Sequence, residues 1–411
     1  MTTKALLLVA LASCTHDVTV VDRAEVATAR ELDILYVLDN SSDNGRYDAM
    51  AAQLDDLRAR LSDVDGELPS LHVGVVTTDL GARGTDDAAP GPAVGGCAGD
   101  GDAGQLKAMI EDLRGPDGTR VRNFAGDSLE DELARVTNPG PGSGCEFEQP
   151  LEAMRRALDP ATNPGFVRDG AMLQVVFLTN EDDCSLKTAA MLDPANEALG
   201  PLSSFRCTEQ GVVCDQPDPR RPGLKTNCRP REGSPFMVDV SAYEAFLLEA
   251  KPSRKDVIVS AVVGANAPFR VRDIGVPTLA PSCEGPAGTA KPAVRLGSLV
   301  DAFDGVLVDA CTQGAAYERI SAPIVERQRA CFANLRIDDG EACTVFEILG
   351  DAETELPRCA DGGAAPCWTI ETDTAACPAG DHLRIHVDRG TTPAPANARV
   401  QANCVVKERN P

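Results

Sequence analysis

Four apolar runs constrain this chain more than any other feature of it. They are Asp33 to Leu38 (DILYVL), Leu71 to Val76 (LHVGVV), Leu173 to Leu178 (LQVVFL) and Val257 to Val263 (VIVSAVV). Each has the length of a strand and is rich in β-branched residues. Each is continuous rather than alternating, which is the pattern of a strand buried on both faces. Helical spacing fills the intervals: Met50, Leu54, Leu57 and Leu61 follow the first run. Leu129, Leu133 and Val136 follow a capping pair, Ser128 and Asp131. Leu151, Met154 and Leu158 follow Pro150, a good first-turn residue. Tyr243, Phe246 and Leu247 follow Ser241 and Glu244. Beyond the fourth run, residues 295–303 read as a helix and 305–308 as a short strand. A last helix is expected from Ser321, with Pro323 in its first turn, to about Phe332. This alternation predicts an α/β domain over 33–332, a doubly wound, mostly parallel sheet with helices on both faces.

Two long Cys-containing stretches interrupt it and read as surface insertions with too few apolar residues for cores of their own. One, near 80–125, is rich in Gly, Ala and Asp and holds Cys97. The other, near 185–240, is rich in Pro and Arg and holds Cys207, Cys214 and Cys228. After 334 the segments become short, alternating and Cys-rich, so 334–411 reads as a small, disulfide-rich β domain. Fifteen cysteines are present, Cys14 and fourteen others from Cys97 to Cys404, none of them in a CxxC pair. An even set without zinc-ribbon spacing points to disulfides and an oxidising compartment. Their connectivity stays open, with Cys214–Cys228 and Cys359–Cys367 as the nearest local candidates.

The net charge of -24 repels phosphate backbones, so nucleic acid is not an expected partner. It suits hard divalent cations, and it keeps an exported protein in solution. Lys4 and the short apolar run Ala5 to Ala12 read as a signal peptide over 1–13. Leu11-Ala12-Ser13-Cys14 resembles the lipobox of bacterial lipoproteins. That resemblance implies acylation of Cys14, a tether over 14–32 and a place in the cell envelope. Thr15, standing where an Asp would favour inner-membrane retention, implies the outer membrane or cell surface. No other segment has the length needed to cross a bilayer.

In open α/β sheets, ligands bind at the carboxyl ends of the strands. The first run ends in Asp39, Ser41 and Asp43, and the third in Asn180, Glu181, Asp182 and Asp183. If the two strands are neighbours, both loops face one spot and offer oxygen ligands for Ca²⁺ or Mg²⁺. A strand followed by Asp-x-Ser, a helix and a VGVV strand resembles a von Willebrand factor A (VWA) domain. The wording DILYVLDNS, LHVGVVTTD, GCEFEQPLEAMRRAL and LTNEDDCS resembles A-domain lipoproteins of myxobacterial type over 33 to about 332. The resemblance implies a divergent metal-ion-dependent adhesion site. Asp39 and Ser41 match its first two ligand positions, Asp43 replaces a Ser, and Asn180 replaces the late Asp, with Asp182 and Asp183 just beyond. The middle-loop Thr position falls at Gly144-Cys145-Glu146, where Glu146 can ligate and a disulfide-bonded Cys145 cannot. Asp43 would make the site tighter and more Ca²⁺-like, with less demand for a partner's carboxylate.

The expected function is a non-enzymatic envelope module that binds a protein, peptide or glycan. The alternatives are a metal-dependent hydrolase using the same acidic cluster, and a structural envelope protein with a degenerate site. Against the hydrolase stands the absence of a placed His or Lys beside these carboxylates. His382 and His386 sit in an alternating segment, where four strand residues set imidazoles about 13 Å apart, too far to share an ion. Thr77, Thr78 and Asp79 read as a strand-end turn.

Overall fold

The computed structural model describes residues 20–24, 31–41, 47, 61 and 68–408. Within 68–408 it omits 116–118, 126–127, 139–143, 252–253, 329–330, 333–334, 337–342, 350–351, 375–376, 378–381 and 393–397. Cys14, Asp43 and nearly all of the helix expected after the first run therefore lie outside the described residues. Of that helix Tyr47 and Leu61 are described; both are helical and buried.

All four apolar runs are strands of one seven-stranded sheet. In chain order its strands are β1 (Glu31–Leu38), β2 (Ser70–Thr77), β3 (Ala108–Arg114), β4 (Arg120–Arg122), β5 (Met172–Leu178), β6 (Val257–Val263) and β7 (Val306–Asp309). Across the sheet they run β7-β6-β5-β1-β2-β3-β4. The five from β7 to β2 are parallel, and β3 and β4 add an antiparallel edge. Residues 108–122 were expected to be loop. Their strands escape a sequence reading because AMIEDLR carries Glu111, Asp112 and Arg114 without a strict alternation and sits at a half-exposed edge.

Alternate side chains of the central strands feed two cores. Ile34, Tyr36, Leu38, Val176 and Val262 pack on one face against α1 (Leu129–Val136) and α6 (Ala316–Gln328). Leu35, Val37, Val175, Phe177 and Val259 pack on the other against α2 (Pro150–Leu158), α4 (Val240–Ala250) and α5 (Val294–Ala302). The remaining helix, α3 (Phe205–Gly211), lies in the second insertion. The arrangement is a three-layer α/β fold, and it explains why these strands tolerate no polar alternation.

Helix starts follow the sequence in part. Ser128 caps α1 by accepting from the Asp131 N–H at 3.1 Å, and α2 begins at Pro150. Ser128→Ala should cost about 1 kcal/mol, read as a lower urea midpoint at unchanged slope; no shift would mean that the hydroxyl is not capping. The last helix starts at Ala316, earlier than expected, and carries Pro323 inside it. Asp239 rather than Ser241 stands at the N-cap of α4.

The insertions are not coreless. Ala82, Cys97, Cys145 and Phe147 cluster with Cys184, Leu186, Met191, Leu192, Cys207 and Met237, so the two stretches share one apolar nucleus. Disulfides Cys97–Cys145 and Cys184–Cys207 run through it. Others join Cys214–Cys228, Cys283–Cys311, Cys343–Cys404 and Cys359–Cys367, and Cys377 is also bonded. Both local pairs anticipated from spacing are among them.

The C-terminal strands form two antiparallel sheets. Cys343–Leu349, Ala352–Leu356 and Arg399–Glu408 make one, and Cys331–Phe332, Cys367–Thr372 and Leu383–Asp388 the other. Val345, Trp368, Ile385, Val400 and Ala402 pack together beneath them. His386 lies on a strand and pairs with Thr369, in keeping with its alternating context. Val20–Ala24, expected as part of a tether, is instead an edge strand pairing antiparallel with Arg399–Glu408. An edge strand leaves backbone groups unpaired, and a β-branched VVDRA segment supplies partners for them. Among the described residues no helix is long and apolar enough to cross a membrane.

Candidate functional site

The chain leaves β1 for β2 on one side and later returns through β5 to β6 and β7 on the other. Strand order therefore reverses between β1 and β5, and loops leaving adjacent strands in opposite directions open a crevice at their carboxyl ends. Asp39 stands directly after β1, with its N–H donated to Leu178 O of β5 at 2.9 Å. Thr179, Asn180 and Glu181 follow β5. Thr78 follows β2, and its N–H donates to Leu38 O at 2.9 Å, so a threonine flanks Asp39 on each side.

Asp39 is buried, and its two oxygens are used differently. Oδ1 accepts from the Ser41 N–H at 2.8 Å and from Ser41 Oγ at 2.6 Å. Oδ2 faces Thr179 Oγ1 at 3.4 Å and the Asn180 N–H at 3.5 Å. The first two contacts make a turn that any Asp-x-Ser before a helix would make. What goes beyond a turn is Glu148, fully enclosed, whose Oε1 lies 2.6 Å from the same Ser41 Oγ. A serine hydroxyl has one proton to donate. It cannot satisfy two ionised carboxylates at 2.6 Å, so one of the two carboxyls carries a proton or a cation stands among these oxygens.

The electrostatics agree. Burial pushes the Glu148 carboxyl well above its usual range, and the charges of Glu181 and Asp39 push it further. Burial also raises Glu181, against the pull of Lys291, whose ammonium donates to Glu181 Oε1 and, at 3.2 Å, to Ser204 Oγ. Among the described residues three carboxylates, Asp39, Glu148 and Glu181, thus stand close together, with Lys291 paired to Glu181. Thr78 Oγ1 and Asn40 Oδ1 are buried beside them with no hydrogen-bond partner among the described residues. Asn40 also lines a neighbouring cavity of about 460 Å³, walled by Thr77, Asp79, Asp102, Lys107 and Arg135.

The expected ligands divide. Asp39 and Ser41 are at the centre, and Asn180 approaches through its backbone N–H. Asp182 and Asp183 are committed elsewhere. Asp182 accepts from the N–H groups of Arg295 and Leu296, the opening of α5, at 2.9–3.1 Å. Asp183 accepts from the Leu151 N–H at 3.1 Å, the opening of α2, and from Arg295 Nε at 3.0 Å. Neither helix has a capping side chain of its own. Helix starts leave N–H groups unsatisfied and favour anions, which is what claims both carboxylates. In the middle loop Glu146 is exposed, and the acid that turns inward is Glu148, two residues on.

Lys291 corrects the expectation that no Lys stands beside the cluster: its N–H donates to Asn180 O at 2.7 Å, which sets it there from far along the chain. Glu148, Thr179 and Lys291 were not singled out, and Thr78 was read only as part of a strand-end turn. In EFEQP the two acids stand two residues apart, and strand alternation would place both on one face, so periodicity does not reveal that Glu148 alone turns inward. His72 is at the amino end of β2, its Nδ1 2.9 Å from Phe166 O, and belongs to the opposite rim of the sheet. Cys283, Asp309 and Cys311 bring ligand-type atoms within 4.8 Å of one another. The two sulfurs are bonded to each other, so they have no thiolate to offer a metal, and Asp309 Oδ1 accepts from the Cys311 and Thr312 N–H groups.

Neither a protein-family model nor a curated protein matches the chain. Among solved structures it is similar to the conserved hypothetical protein BatB from Bacteroides thetaiotaomicron, at 10% identity and a TM-score of 0.30 over 73% of this chain and 100% of that one. It is similar to a von Willebrand factor type A protein from Catenulispora acidiphila, at 12% identity and 0.30 over 93% of this chain and 59% of that one. It is also similar to proximal thread matrix protein 1 from the mussel byssus, at 10% and 0.30 over 72% of this chain and 47% of that one. At these scores the likenesses carry no argument, and the α/β assignment rests on the sheet itself.

Proposed function

We propose that this chain is a non-enzymatic binding module of VWA type. In this reading it is exported, held at the cell envelope through acylated Cys14, and binds a protein, peptide or glycan through a divalent cation. Its last segment, 334–411, is read as a separate Cys-rich module. The observation that carries the binding reading is the Glu148–Ser41–Asp39 chain of oxygens, one hydroxyl between two buried carboxylates at 2.6 Å each.

The donor set fits a hard cation. Asp39, Ser41 and Glu148 would hold it, with Glu181 and the hydroxyls of Thr78 and Thr179 nearby. All are oxygens, as Ca²⁺ and Mg²⁺ require, and the number of carboxylates favours Ca²⁺. Bound there, the ion would neutralise charge that the fold buries at a cost and would present a positive point at the crevice. The cavity next to Asn40 would receive the group that follows.

Calorimetric titration of the oxidised protein with CaCl₂ and MgCl₂ tests this. One saturable Ca²⁺ site is expected, tighter than Mg²⁺ and weakened at least about 100-fold in Asp39→Ala, as follows from losing a charged ligand worth about 3 kcal/mol. Equal heats from Asp39→Ala and the wild type would remove the site, and the Asp-x-Ser turn would then be a helix cap alone.

A further inference from the structure

A second cavity lies in the second insertion, away from the carboxylate crevice. It measures about 150 Å³, and its walls include Val212, Pro217 and Phe269. Lys225 and Arg231 line it as well, and no carboxylate does. That is unusual ground in a chain of net charge -24.

Neither cation is paired directly with an acid among the described residues, although the charge of Asp218 acts on Lys225 from nearby. Lys225 is 3% exposed, and its ammonium, with three N–H donors, gives one to the backbone carbonyl of Asp218 at 2.5 Å. Arg231 is held through its backbone N–H to Gly211 O at 2.8 Å, while its Nε is buried without a hydrogen-bond partner among the described residues. Neither side chain forms an ion pair among the described residues. Enclosing an ammonium and a guanidinium Nε–H without a directly paired anion is costly, and proteins ordinarily avoid it. Such a cost is repaid when an anion arrives.

The frame is rigid. Cys214–Cys228 bridges it, and Gln216 is clamped on both sides of Thr226, accepting from its N–H at 2.9 Å and donating to its Oγ1 at 3.0 Å. Phe269 continues the wall from a strand paired with Gly223–Lys225. The size matters too: a protein cavity of about 150 Å³ accommodates a benzene-sized group.

We propose that this cavity binds a small carboxylate with a compact apolar body, its anion on Lys225 and Arg231 and its body against Val212 and Phe269. The carboxylate belongs either to a free organic acid or to the C-terminus of a peptide ending in a small apolar residue. The site is independent of the divalent-cation reading.

Benzoate is the probe, with benzamide as its neutral counterpart, titrated into the whole oxidised protein by ligand-observed NMR. Benzoate should bind saturably and at least tenfold more tightly than benzamide, with or without chelator and equally in Asp39→Ala. Lys225→Met and Arg231→Gln should each weaken it at least tenfold. A hexapeptide ending in a free-carboxylate valine is then added as competitor beside its C-terminal amide. Displacement by the acid alone identifies a chain terminus as the source, and displacement by neither identifies a free acid. Equal affinity for benzoate and benzamide, or no saturable benzoate binding, overturns the proposal. This comparison needs no variant, so it decides the matter even if a substitution impairs folding. Undiminished binding in both folded variants would overturn it equally.

Discussion

Arg295→Ala should lower the stability of the central domain by about 4 kcal/mol, seen as a fall of roughly 10 °C in melting temperature. Arg295 is wholly buried, with Nε 3.0 Å from Asp183 Oδ2 and Nη2 2.7 Å from Val238 O. Removing it leaves the buried Asp183 carboxylate without its cation, and that uncompensated charge is the larger part of the loss. The void left by one of the largest buried side chains adds to it. The damage should spread, because Asp183 also holds the opening of α2 through Leu151. Charge and volume can be separated by Arg295→Met combined with Asp183→Asn. That pair removes both charges while keeping most of the volume and should recover part of the stability lost in Arg295→Met alone. A double variant no better than the single would mean that packing, not the ion pair, dominates. A loss under 1 kcal/mol in Arg295→Ala would mean that Asp183 does not depend on Arg295.

Glu148→Gln should act in two opposite directions. Burial, with Glu181 and Asp39 nearby, holds the native Glu148 carboxyl well above its ordinary value of 4.5. The folded protein therefore keeps a proton that the unfolded chain releases as pH rises past that value. The Glu148 contribution to the stability of the metal-free wild type therefore falls with rising pH above about 4.5, by at most about 1.4 kcal/mol per unit, until the folded group itself ionises. Glutamine removes that slope. At pH 8 without metal the variant is expected to be more stable than the wild type, read as a higher urea midpoint. With Ca²⁺ the comparison moves toward the wild type. A cation at 100 times its dissociation constant stabilises the wild type by about 2.7 kcal/mol, and the variant, lacking the ligand, gains little. Urea midpoints at pH 5 and pH 8, with calcium and with chelator, give all the comparisons. A variant less stable at both pH values and still stabilised by calcium would refute this role for Glu148. The trade is one that binding sites commonly make, in which groups kept for a ligand are a burden without it.

Both effects arise in loops whose composition looks uniform. Glu181, Asp182 and Asp183 are consecutive acids after one strand, and nothing in their identity separates them. The backbone turn sends the first to the crevice and the other two to the starts of α5 and α2. Those helix starts belong to segments near residues 150 and 294, distant along the chain, so no local reading reveals the demand for capping. The same holds for Lys291, which reaches Glu181 only because the stretch after β6 folds back over the end of β5.

What the amino-acid order determined by itself is the layer architecture and the strand ends where a candidate site is expected. Continuous apolar runs of strand length, rich in β-branched residues, fit strands buried on both sides, and intervening stripes of helical period fit helices that cover such a sheet. Asp39 and Ser41 were legible because they sit directly at the end of the first strand, where local covalent order and tertiary position coincide. Local disulfides were legible for the same reason. Tertiary structure alone decided which acids share the crevice, that the half-charged segment 108–122 completes the sheet edge, and that two apolar-poor insertions pool their few hydrophobic residues into one disulfide-crossed core. Each of those outcomes depends on pairings between residues far apart in the chain, whose energies come from burial and from satisfying helix ends and strand edges. Periodicity along a sequence records how each segment faces its neighbours, but not which neighbours they are.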